Sequence, residues 1–219
     1  MNYYSEKDIR DIVASVVAQT AIAPAASACQ TVPVEISARH VHLTREAVDK
    51  LFGAGYKLTP KRDLSQPGQF LSEERVKIVT RKGELDNIAV LGPERQAVQV
   101  ELSVTDARAL GIKAPIRLSG DLNGAADVII IGPKGMTEAK GSAIIARAHL
   151  HMTPQDAQRY GVNNGEKVAI RMDTDRPMTI NDVEVRVSGT SRLAVHIDFD
   201  EANAAALSGD GQGFLIKGR

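Results

Sequence analysis

The chain is 219 residues long, and its 27 basic side chains balance 27 acidic ones, so the formal net charge is zero. That balance, with no long basic run, excludes the electrostatic footprint of a nucleic-acid binder, and no apolar run approaches the roughly 20 residues needed to cross a bilayer. A single cysteine, Cys29, excludes an intramolecular disulfide framework and suits a reducing cytosol, while the length admits one large domain or two small ones of roughly 100 residues each.

The first segment, Met1 to Asp8, lacks the basic stretch and apolar core of a secretory signal, so a cytoplasmic location is expected. Ile9, Ile12, Val13, Val16 and Val17 recur at helical spacing behind Ser5, a good cap, and Glu6, Lys7, Asp8, Arg10 and Asp11 fill the early polar positions. This predicts an amphipathic helix over residues 1–20. Residues 21–31, rich in alanine with Pro24, read as a linker. A short helix on a tether is marginal alone and calls for a partner on its apolar face.

From Val32 onward the pattern is short strands and turns. Strands are predicted at Val32 to Ile36, Val76 to Val79, Ile88 to Leu91, Val98 to Val100, Ile116 to Leu118, Val128 to Ile131, Lys167 to Met172 and Val183 to Val187. Brief helices are predicted at Asp106 to Leu110 and Gln155 to Tyr160, each followed by a glycine near its C-cap. Many short strands with short helices point to small β-barrels and not to a doubly wound sheet. No GxGxxG or P-loop pattern is present.

All five histidines fall into three knots: His40-Val41-His42, His149-Leu150-His151 and His196. Residues two apart in a strand project to the same side, so each His-x-His pair forms a two-ligand pincer. The surroundings repeat too: Ile36 to Thr44 lines up with Ile145 to Thr153. Glu101-Leu102-Ser103 and His196-Ile197-Asp198 share the second half of that pattern, a ligand type followed two residues later by a helix-capping residue. The internal repeat therefore gives duplicated halves and six ligands, His40, His42 and Glu101 from one and His149, His151 and His196 from the other. Three protein ligands with a fourth position open is the catalytic arrangement for zinc. Imidazole also suits cobalt, nickel, iron or copper.

Several separated motifs now carry a resemblance. Ser37 to Thr44, Gln66-Pro67-Gly68-Gln69-Phe70, Leu91-Gly92-Pro93-Glu94-Arg95, Gln99 to Ser103, Arg147 to Met152 and His196 to Asn203 stand in the order found in bacterial microcompartment phosphate acyltransferases. From about Val32 to the C-terminus the chain resembles that zinc-dependent family, the phosphate propanoyltransferases. The resemblance implies a mainly β fold of two small barrels with partly exchanged strands, capped by short helices. One barrel would comprise residues 32–38 and 147–219, the other 39–146. It implies two zinc ions per chain, held by the two sets of ligands just named, and a reaction in which acyl-CoA and phosphate give acyl phosphate and CoA. Arg95 matches the phosphate-contacting arginine. Ile36, Ser37, Ala38, Lys82 and Asn203 match the CoA contacts, and Ala89 departs from an arginine that many members carry. The N-terminal extension resembles an encapsulation peptide that docks on microcompartment shell or core proteins, and the exposed edges of small barrels leave room for a homo-oligomer.

No nucleophilic side chain is required by this chemistry, and Cys29, at the end of the linker, is a poor acyl carrier. Direct attack by positioned phosphate on propanoyl-CoA or acetyl-CoA is the expected course. A zinc-dependent hydrolase, which would activate water at the same open metal positions, is the competing enzyme reading, and a zinc-stabilised scaffold without turnover is the competing structural one.

Overall fold

Two closed rings of short strands realise the alternating pattern. A computed structural model describes residues 31–217 together with Ser5, Lys7 and Arg10; apart from those three positions and Thr31, the helix expected over 1–20 and the linker over 21–31 lie outside the described residues. The first ring is a closed barrel ordered β1 (Thr31–Ile36), β13 (Ala194–Ile197), β10 (His149–Met152), β12 (Met178–Val187), β11 (Lys167–Met172) and β14 (Gly211–Lys217). In the second, β4 (Phe70–Val79), β5 (Glu84–Gly92), β2 (His40–His42), β6 (Gln99–Leu102), β9 (Met136–Ala146) and β8 (Ala126–Ile131) pair in turn. Closure comes from β8 pairing back onto β4. Short strands β3 (Pro60–Asp63) and β7 (Ile116–Arg117) flank this second ring. The expected mainly β fold of two small barrels with an exchanged strand is therefore what the chain adopts.

Each barrel has its own apolar centre. Val32, Val34, Leu150, Ile170, Val183, Val185 and Val195 fill the first, and Val41, Val76, Ile78, Ile88, Val90, Val100 and Ile130 fill the second. Strands with period-two burial supply both: along β4, Ser72, Glu74, Val76 and Ile78 face inward while the intervening residues do not. The buried Glu74 is satisfied there by Tyr56 Oη, which donates at 2.8 Å, and by the Thr59 N–H at 3.0 Å. Helix α1 (Arg45–Phe52) turns Val48 and Leu51 into the second core.

The exchange is made by β1. It pairs parallel with β13 and antiparallel with β14, and the Ser37 N–H still bonds to the Ile197 carbonyl at 2.7 Å. The chain then leaves the first barrel, and its next strand, β2, lies in the second. It returns between β9 and β10. Both histidine pairs thus begin just after the chain has crossed from one barrel to the other.

A capped helix follows each ligand-bearing strand. Thr44, Ser103, Thr153 and Asp198 accept from the backbone N–H of Ala47, Asp106, Asp156 and Glu201 respectively, at 3.1, 3.2, 3.1 and 2.9 Å. These start α1, α2 (Val104–Ala109), α3 (Pro154–Tyr160) and α4 (Phe199–Ala204). In the last three the third helical residue reaches back to the cap's own N–H, completing a capping box.

The capping carboxylate of α4 is unusual, because burial pushes the Glu201 carboxyl up to about 7 from an ordinary 4.5. Below about pH 4.5 the group is protonated whether the chain is folded or not and has no effect. Between that pH and 7 the unfolded chain ionises first, so Glu201 progressively withdraws stability, roughly 3 kcal/mol by pH 8. Glu201→Gln keeps an oxygen for the Asp198 N–H and removes the titration. Its melting temperature relative to the parent protein is expected to rise by several degrees between pH 4.5 and pH 8, and a pH-independent difference in thermal melts refutes this.

Candidate dinuclear metal site

The two barrels place their histidine pairs by the same pairing scheme. β2 runs parallel to β5 and antiparallel to β6, which sets His40 opposite Glu101 and His42 opposite Gln99. In the other barrel β10 runs parallel to β12 and antiparallel to β13, setting His149 opposite His196 and His151 opposite Ala194. Val41 and Leu150, between the paired histidines, are fully buried in their respective cores, so by strand alternation the imidazoles face away from those cores. The repeat alignment that matched Glu101 to His196 corresponds to one position in two duplicated ladders.

Two clusters result, His40 with His42 and Glu101, and His149 with His151 and His196. The Nε2 atoms of His40 and His42 are 3.2 Å apart, and those of His149 and His151 are 3.1 Å apart. Glu101 brings its carboxylate oxygens to 3.6 Å from His40 Nε2 and 3.8 Å from His42 Nε2. Two nitrogens bound at 2.0–2.1 Å to a tetrahedral zinc lie about 3.3 Å apart, so both pincers have the span the metal needs. The tautomers fit as well. His40 Nδ1 donates to the Ala38 carbonyl at 2.7 Å and His149 Nδ1 to the Arg147 carbonyl at 2.8 Å. In each of these rings Nε2 is thereby the nitrogen turned to the paired histidine and available to a cation.

Electrostatics keeps most of these rings neutral. Burial, reinforced by the neighbouring His40 and Arg95 charges, pushes His42 down to about 2. Burial and His196 push His149 down to about 4, and burial with His149 and His196 pushes His151 down to about 3. His40 is the exception: burial opposes its charge, yet the Glu101 carboxylate outweighs burial and lifts it. Glu101 is correspondingly held well below the usual carboxylate range, because the attraction of His40 overcomes its own burial. The ionised Glu101 and the neutral His42, His149 and His151 are in the forms a divalent cation requires of its ligands, and His40 is the ring whose proton a cation would displace.

Both clusters open on one cleft of about 540 Å³ at the junction of the barrels. Ile36, Ser37 and Ala38 line it, together with Ala89 and Arg95. The Arg95 backbone N–H is pinned to the Leu43 carbonyl at 2.8 Å, and its guanidinium donates to Ser119 Oγ at 3.2 Å. Lys82 and Asn203 are not among the lining residues. Lys82 is exposed in the turn between β4 and β5, and Asn203 is exposed on α4.

Four further residues of the cleft and its supports were not anticipated. Gln99 donates from Nε2 to Glu101 Oε1 at 2.6 Å and to Ser119 Oγ at 2.8 Å, while its Oε1 accepts from the Gly120 N–H at 2.8 Å. It holds Glu101 in place. Arg186, opposite His151 in the β10–β12 ladder, adds a second guanidinium to the cleft, and Glu35 and Ser119 also line it. Arg186 and Glu35 had a signal in the sequence. They are the polar members of Val185-Arg186-Val187 and Val34-Glu35-Ile36, which alternation turns away from the core.

Comparison with known proteins points to one family. A family model described as phosphate propanoyltransferase matches residues 33–208. A phosphate propanoyltransferase of Alkaliphilus metalliredigens is 45% identical over 212 residues, 97% of this chain and 99% of its own. One of Priestia megaterium is 48% identical over 211 residues, 96% of each chain, and one of Leptotrichia buccalis is 48% identical over 188 residues, 85% of this chain and 89% of its own.

If Gln99 orients Glu101, Gln99→Ala weakens the first cluster without touching the second. Competition with a graded chelator is expected to show one metal equivalent bound about 10- to 100-fold more weakly, the other unchanged. Two unchanged equivalents refute the assignment.

Proposed function

This chain belongs to the phosphate propanoyltransferase family, and on that premise we propose that it moves a propanoyl or acetyl group from CoA to phosphate at a dinuclear zinc site. Family membership makes it an acyltransferase enzyme; the metal, the acyl groups and the course of the reaction are the proposal. The observation that carries it is the opening of both metal-ligand clusters and Arg95 on a single cleft. His40, His42 and Glu101 would hold one ion, and His149, His151 and His196 the other. When bound, the metals supply Lewis acidity towards the thioester carbonyl as it gains negative charge.

The chain's own residues do the rest. Arg95 offers phosphate a fixed, permanently charged fork suited to bidentate binding. Burial lowers its proton affinity, but a guanidinium stays charged throughout the working range. Its backbone and Ser119 anchors hold that fork rigidly, and Arg186 adds positive charge from the opposite barrel. Ile36, Ser37 and Ala38 form the wall along which the CoA arm enters; Lys82 and Asn203, outside the cleft, are assigned to the far end of that arm. A phosphate oxygen attacks the thioester carbon, the carbon–oxygen bond forms, the carbon–sulfur bond breaks and CoA leaves as the thiolate. No acyl-enzyme is formed, and the rate advantage comes from holding both substrates together.

CoA release from propanoyl-CoA or acetyl-CoA should therefore require phosphate and yield acyl phosphate in equal amount. Arg95→Ala is expected to raise KM for phosphate and lower kcat/KM about 100-fold. CoA release at full rate in phosphate-free buffer assigns the site to a hydrolase instead, and a trapped acyl-enzyme excludes direct attack.

The helix expected over residues 1–20 supports a second element of the proposal: it docks on shell or core proteins and carries the enzyme into a microcompartment of the bacterial cytoplasm. Deleting residues 1–20 is expected to abolish co-purification with compartments while turnover in solution persists. Unimpaired enclosure of the shortened chain refutes the targeting role.

A further inference from the structure

The two metal-ligand clusters differ in charge. His40, His42 and Glu101 include one carboxylate, whereas His149, His151 and His196 include none. A second carboxylate nevertheless reaches the all-imidazole cluster from β1. Glu35 stands directly opposite His196 in the parallel β1–β13 ladder, and its Oε2 lies 3.2 Å from His196 Nε2. An ionised carboxylate only accepts, so His196 Nε2 carries the hydrogen and donates it, which leaves the lone pair on Nδ1.

Glu35 is itself held in place. Ser65 Oγ donates to the same carboxylate oxygen at 2.5 Å, and it comes from the loop between β3 and β4, in the other barrel's half of the chain. The next residue locks that loop to the first barrel. Gln66 Nε2 donates to the Arg192 carbonyl at 2.9 Å, and Gln66 Oε1 accepts from the Arg192 N–H at 3.2 Å. The β1 fold does not require an acid here: Val34 and Ile36 serve the core on either side, and Glu35 faces the cleft.

We propose, on the two-metal reading above, that Glu35 is the positioning carboxylate of the His149, His151 and His196 metal, with Ser65 holding Glu35 in turn. It fixes the tautomer and orientation of His196. It also brings to this ion the negative charge that Glu101 brings to the other, since three neutral imidazoles leave a divalent cation uncompensated. A carboxylate on the far nitrogen of a ligating ring raises that ring's basicity and tightens the metal. Because Ser65 and Glu35 belong to different barrels, tight binding at this ion also depends on how the two barrels meet.

The test uses the full chain loaded with zinc or cobalt(II), with His149→Ala identifying which equivalent belongs to this cluster. In chelator competition, Glu35→Gln is expected to release that equivalent at about 10- to 100-fold lower chelator concentration, the other remaining unchanged. Ser65→Ala should weaken the same equivalent to a smaller extent, and it serves in place of Glu35→Gln if that variant does not fold. With cobalt, the d–d absorption assigned to this cluster should shift in Glu35→Gln while that of the other cluster is retained. A folded Glu35→Gln with parental affinity and spectrum at both equivalents overturns the role of Glu35 and leaves the two-metal reading standing. So does a variant that lowers only the melting temperature of the metal-free protein. A parental protein that binds fewer than two equivalents overturns the two-metal reading, and this proposal with it.

Discussion

Strand register at the barrel junction is the constraint on which the site depends. His40 meets Glu101, and His149 meets His196, because β2 and β10 pair antiparallel with β6 and β13 in one particular alignment. Side chains alternate with a period of two, so a slip of one residue would send both imidazoles of a pair into a barrel core and turn Val41 or Leu150 out to the cleft. The fully buried valine or leucine between each pair of histidines therefore guards the register. Burying the hydrocarbon and presenting the ligands are two results of the same alignment, and the site inherits the stability of the cores behind it.

What could be read without coordinates divides along the same line. The helix caps Thr44, Ser103, Thr153 and Asp198 were legible because capping is local, with the cap three residues from the N–H it receives. The two groups of clustered side chains were legible because duplication wrote the pattern twice. Glu35 and Arg186 were not singled out, since each takes its meaning from a partner strand far along the chain, β13 and β10 respectively, and Gln99 was not because its anchors Ser119 and Gly120 lie some twenty residues on. Strand β9 shows another limit. Its first half, Met136 to Gly141, has few β-branched residues, and Gly141 adopts a positive φ of 55°. Those are turn signals locally. The strand continues through them because the Gly141 N–H finds Asp127 Oδ1 at 2.7 Å and β8 pairs alongside.

Duplication gave the two halves the same scaffold but not the same chemistry. One ladder offers a carboxylate where the other offers an imidazole, and Leu91 sits opposite His42 where Arg186 sits opposite His151. One cluster has a protonatable His40–Glu101 pair, whereas His149 and His151 are held neutral by burial and by the neighbouring imidazoles. The two clusters therefore offer a cation different immediate donors, one carboxylate with two imidazoles against three imidazoles.

The exchanged strand also sets an order of assembly. β1 leaves the ribosome early, but the strand it must lie against, β13, follows about 160 residues later. At ordinary rates of synthesis that is a wait of roughly ten to thirty seconds. During it the second barrel, whose strands run without interruption from β2 to β9, has everything it needs to close, while β1 hangs from it with both edges unpaired. The first barrel, and with it the cleft, is sealed only when the end of the chain arrives. A product that stops before β10 can thus contain a finished barrel and two histidines and still lack the cleft, so in this topology the strands from β10 onward must be made before the two ligand clusters can face one another.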